Sequence, residues 1–144
     1  MGNPERKVRD VDSSWTATTC QGGNLNQVIL VVDDDRSMRA STLRLLVARG
    51  YTAIEADSAA EAVQKTASLV PDVILMDLHL RHGSGLDAAR QIKAQQPFAH
   101  IPIIALTATP PDWDEKLQLF AAVLVKPCPT AQILDAVVAA LPHV

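Results

Sequence analysis

Five short apolar runs recur along the chain: VILVV at 28–32, YTAIEA at 51–56, VILM at 73–76, IIAL at 103–106 and VLV at 123–125. Hydrophobicity that is mostly continuous rather than alternating marks strands covered on both faces, as in parallel sheets. The stretches between the runs have helical character. Residues 37–49 carry Met38, Leu45, Leu46 and Ala48, and Gly50 stops the helix. SAAE at 58–61 forms a capping box. A third helix, 86–95, follows Gly85, and TPPD at 109–112 offers Thr109 as an N-cap with Pro110 at the first helical position. The last helix, about 130–141, spaces Ile133, Leu134, Val137, Val138 and Leu141 by threes and fours. Strands and helices in strict alternation predict an α/β three-layer sandwich around a five-stranded parallel sheet.

A chain of 144 residues predicts one domain, placed at 27–144. Residues 1–26 are polar and aperiodic and read as a flexible tail with Trp15 as an isolated aromatic. With 48% hydrophobic but only 3% aromatic residues, the core has to be aliphatic. A net charge of −3 and the lack of a basic stripe argue against nucleic acid. No apolar run approaches the ~18 residues of a membrane span. Arg6, Lys7 and Arg9 are followed by no apolar stretch, so no signal peptide is expected. Cys20 and Cys128 read as reduced thiols, and the expected location is cytoplasmic.

The polar residues at the strand ends carry the chemistry. Asp33 and Asp34 follow the first run, Asp77 the third, Thr107 the fourth, and Lys126, with Pro127 after it, the fifth. In an open parallel sheet, ligands bind outside the carboxyl ends of the strands. The set therefore brings carboxylates, a hydroxyl and an ammonium to one crevice. Crowded carboxylates repel and resist desolvation, so a cation is needed. An all-oxygen cluster suits Mg²⁺. A carboxylate beside that metal can attack phosphorus, while Lys and Thr neutralise charge on the transferred group. Asp35, the third acid of VVDDD, fits the N-cap of the next helix, where the dipole favours an anion.

From about Gln27 to Leu141 the sequence resembles the receiver domain of two-component response regulators. VVDDD matches the acidic pair, VILMDLHL the phosphoacceptor segment, IIALTA the threonine strand and LVKP the lysine-proline pair. The resemblance implies a flavodoxin-like (βα)5 fold with strand order 2-1-3-4-5. It implies that Asp77 accepts a phosphoryl group from a histidine kinase or phosphotransfer protein. Mg²⁺ would be held by Asp34 directly, by Asp33 through water, by Asp77 and by the His79 backbone carbonyl. Thr107 would bond the phosphoryl oxygen, Lys126 would pair with it, and the Lys126–Pro127 bond would be cis. The implied protein is a signalling phosphoacceptor rather than an enzyme, acting by partner binding or phosphorelay, with no output domain in this chain.

Several positions depart from the family pattern. Arg81 stands where Pro is usual, and Ser84 where an acid precedes Gly85. The segment from Thr107 to Lys126 is short, predicting a stunted fourth helix. Val123 stands where the switch ring is usual, so the ordinary output motion is not available. His79 and Thr109 flank the site at positions that steer attacking water. The last helix is apolar or Ala nearly all round, which raises homodimerisation through it; Trp113, Leu117 and Phe120 make a second stripe.

Two alternatives stay open. One is a non-phosphorylated pseudo-receiver acting as an interaction module. The other is a small phosphatase of the haloacid dehalogenase type, reading VVDDDRS with Asp33 as nucleophile and Asp35 as acid; it leaves Asp77 without a role and finds only Asp135 after Lys126.

Overall fold

A computed structural model describes residues 27–95, 98–108 and 119–141. The elements run β1 (Val28–Val32), α1 (Arg36–Ala48), β2 (Thr52–Ala56), α2 (Ala59–Leu69), β3 (Val73–Asp77), α3 (Gly85–Ala94), β4 (Ile103–Thr107), β5 (Ala122–Val125) and α4 (Thr130–Ala140). The five strands form one sheet in the order β2-β1-β3-β4-β5, and every pairing is parallel. This is the flavodoxin-like arrangement expected above. The predicted helix after Thr109 lies outside the described residues, as do Trp15, Cys20, Trp113 and Leu117.

The apolar runs bury as continuous hydrophobicity requires. Every residue of β1, β3 and β4 is buried. Alternate side chains feed two separate cores. Ile29, Val31, Val73, Leu75, Ile104 and Leu106 pack with Leu46 of α1 and Ile133, Leu134 and Val137 of α4. Leu30, Val32, Ile74, Met76, Ile103 and Ala105 pack with Ala62 of α2 and Ala88, Ala89 and Ile92 of α3. Each fully buried Ile or Leu contributes about 1.5–3 kcal/mol relative to exposure. β2 lies at the sheet edge, which is why Glu55 is tolerated there in exposed form.

Local chemistry sets the helix ends. Asp35 caps α1, its carboxylate accepting from the backbone N–H groups of Ser37 and Met38. Gly50 adopts φ 92°, a left-handed conformation that glycine reaches without a Cβ clash. Ser58 caps α2 by accepting from Glu61 N, but Glu61 Oε1 returns to Asp57 N, at 2.8 Å, rather than to the cap residue itself. Phe120 joins the α2–α3 core at 8% exposure, so it belongs to the interior and not to an outer stripe. In α4, Ile133, Leu134 and Val137 face inward, whereas Val138 is 47% exposed.

Candidate functional site

Strand pairing brings the polar residues together. Asp77 and Thr107 are the last residues of β3 and β4, and Asp77 sits in register with Leu106. Asp33 directly follows β1, and Lys126 directly follows β5. Parallel strands all finish at the same edge of the sheet, so residues far apart in sequence share one crevice there.

Asp33, Asp34 and Asp77 each offer an oxygen, and these oxygens lie within 4.8 Å of one another. Lys126 Nζ donates to Asp77 Oδ2 at 2.9 Å and lies 3.7 Å from Asp33 Oδ2. Asp77 Oδ1 accepts from the His79 backbone N–H at 2.9 Å. Asp33 Oδ1 accepts from Asp35 N at 2.9 Å, and its carbonyl accepts from Arg39 Nη1 at 2.6 Å. Asp33, Asp77 and Thr107 are almost fully buried, and Asp34 is half-buried.

Burial pushes the Asp33 carboxyl above the usual carboxylate range, with the negative charge of Asp77 adding to the effect; the Asp35 N–H and Lys126 only partly offset it. Burial opposes the charged form of Lys126, but hydrogen bonding and attraction from Asp77, reinforced by Asp33, outweigh it and hold the ammonium above its ordinary value. The crevice is therefore short of positive charge. Among the described residues, three carboxylates share the Lys126 ammonium and the mostly exposed Arg81 guanidinium, and the donors are all oxygen, a set that fits a hard divalent cation such as Mg²⁺.

Two contacts at this site had no counterpart in the sequence reading. His79 Nε2 lies 3.0 Å from Thr107 Oγ1, so the His79 side chain, and not only its backbone, reaches the crevice. The Arg81 backbone N–H donates to Asp34 Oδ2 at 2.7 Å, and its guanidinium lies 3.7 Å from the same oxygen. Arg81 drew notice only as a departure from Pro; Pro has no N–H and could not make this bond. Gly85 closes the segment. A Cβ there would run into the Asp77 carbonyl, so only glycine lets α3 begin this close to β3. The Lys126–Pro127 peptide is cis. Val123 pairs with Ala105 and is partly buried.

A family model described as the response regulator receiver domain matches residues 29–138. The chain belongs to that family. Receivers are signalling phosphoacceptors of two-component systems rather than classical enzymes, and they interact with histidine kinases or phosphotransfer proteins. This receiver is 33% identical over 92 residues to the polar-differentiation response regulator DivK of Brucella ovis, matching 64% of this chain and 75% of that one. It is 38% identical over 80 residues to the CAI-1 autoinducer sensor kinase/phosphatase CqsS of Vibrio cholerae, where the match spans 55% of this chain but only 12% of the relative. Among solved structures, the chemotaxis protein CheY4 of Vibrio cholerae superposes with a TM-score of 0.74 at 26% identity, covering 80% of this receiver and 98% of CheY4. A response regulator receiver protein from Pseudomonas putida gives 0.72 at 28% identity, covering 78% and 96%. Family membership displaces the phosphatase alternative. Among the described residues no helix is long and apolar enough to cross a membrane.

Proposed function

We propose that this receiver takes a phosphoryl group onto Asp77 from the phosphohistidine of a kinase or phosphotransfer protein. The observation that supports it is the Asp77 carboxylate, buried at the end of β3 and flanked by Lys126 at 2.9 Å and by the Asp33–Asp34 pair. An Asp77 oxygen attacks phosphorus, an O–P bond forms, and the P–N bond breaks with its electron pair leaving on the imidazole nitrogen. The product is an acyl phosphate, with no net oxidation or reduction.

Asp33, Asp34 and Asp77 would hold Mg²⁺, with the His79 backbone carbonyl as a further oxygen ligand. The ion would supply neutralising charge beside the transferred group. Lys126 stays protonated and neutralises a phosphoryl oxygen as it leaves its resting bond to Asp77. The Thr107 hydroxyl donates to another such oxygen. The domain spans 27–144 in this reading, and the signal passes on by partner binding or phosphorelay. A homodimer through α4 is a further part of it, supported by Val138 at 47% exposure; a concentration-independent monomer mass in light scattering overturns that part.

The test is intact mass after incubation with Mg²⁺ and acetyl phosphate, beside Asp77→Ala. A phosphoryl adduct in the natural sequence alone supports the proposal. If neither adduct nor released phosphate forms, the pseudo-receiver reading replaces it.

A further inference from the structure

The segment between β3 and α3 closes over the crevice, and one side chain in it does so with a specific bond. The His79 backbone N–H is 2.9 Å from Asp77 Oδ1, and its ring Nε2 is 3.0 Å from Thr107 Oγ1. One residue thus links the end of β3 to the end of β4. The neighbouring Arg81 N–H holds Asp34 Oδ2 in the same way, at 2.7 Å. The segment is anchored beyond these contacts: the His82 carbonyl accepts from Ala59 N at the start of α2, at 3.4 Å, and Gly83 at φ 90° lies against Ala59 Cβ.

We propose that His79 is a positioning residue that latches the resting site, and that phosphoryl entry must open it. This rests on the phosphoacceptor reading above. With Nδ1 carrying the imidazole proton, Thr107 donates to His79 Nε2, and its one hydroxyl proton then cannot also serve a phosphoryl oxygen. Acquiring a phosphoryl group therefore releases His79, which is already exposed, toward solvent. The released ring is joined through the anchored segment to α2 and α3.

The test uses the full chain and beryllofluoride, a phosphoryl mimic, in saturating Mg²⁺, with binding followed by fluorine resonance. His79→Ala is expected to bind the mimic about threefold to tenfold more tightly, the range one net hydrogen bond covers. His79→Gln, which keeps a hydrogen-bonding tip, returns toward the natural value. The His79 ring resonance in the free protein shifts on Thr107→Val, and in the natural sequence it shifts on adding the mimic. A purely structural role moves neither the ring resonance nor the affinity in this direction. Equal or weaker binding by His79→Ala, or a ring resonance indifferent to Thr107→Val, overturns the latch alone. A natural sequence that takes up no mimic overturns the phosphoacceptor reading and the latch with it.

Discussion

Lys126 and Asp77 stand 49 residues apart and meet at 2.9 Å across the carboxyl edge of the sheet. Lys126 also reaches Asp33, at 3.7 Å, so one ammonium serves two buried acids. The half-buried Asp34 is instead contacted by Arg81. That imbalance governs the behaviour of the metal-free protein.

Asp33→Asn should stabilise the metal-free protein at neutral pH, because burial and the neighbouring Asp77 charge disfavour the ionised form of Asp33. The sign follows from linkage. A carboxyl raised in the folded state above its ordinary 3.8 binds its proton more tightly when folded, so its ionisation costs stability as pH rises through the folded pKa. The Asp33 contribution should therefore be lost on going upward from pH 3.8, and the variant's pH profile should lack that loss. Urea melts at several pH values in chelator measure this.

Mg²⁺ should raise the unfolding midpoint of the natural sequence, because a ligand that binds only the folded state stabilises it in proportion to the logarithm of its concentration. Asp34→Asn and Asp33→Asn should both blunt that response. Thermal melts with and without Mg²⁺ check it.

The three adjacent acids should separate by experiment. Asp35→Ala removes the cap on α1 and should cost about 1 kcal/mol while leaving Mg²⁺ affinity unchanged. Equal loss of Mg²⁺ binding in Asp34→Asn and Asp35→Ala is the outcome that contradicts this division.

Lys126→Met should destabilise the metal-free protein by about 2 kcal/mol, by leaving Asp77 and Asp33 without their counter-charge. Mg²⁺ should recover more stability in this variant than in the natural sequence, since the ion replaces the missing positive charge. Paired melts measure both.

Gly85→Ala should destabilise by about 1–3 kcal/mol despite its better helix propensity, because the added methyl meets the Asp77 carbonyl. Chemical denaturation checks the sign.

Much of this protein was legible in one dimension. Continuous aliphatic runs separated by capped helices specify buried parallel strands, and the acids, Thr107 and Lys126 at the run ends specify which edge carries the chemistry. The reason is that strand period and the common direction of parallel strands are local properties of the chain. The third acid was legible as a cap because capping acts within three residues. Contacts between loops were not legible in this way. The His79 ring on Thr107 joins residues 28 apart, and the Arg81 N–H on Asp34 joins residues 47 apart. Neither leaves a pattern in sequence, because each depends on how a loop lies over strands already paired. Likewise the inward position of Phe120 and the outward one of Val138 are set by packing rather than by local pattern. Sequence by itself determined the sheet and the chemical inventory of its edge; tertiary structure decided which of those groups hold one another at rest.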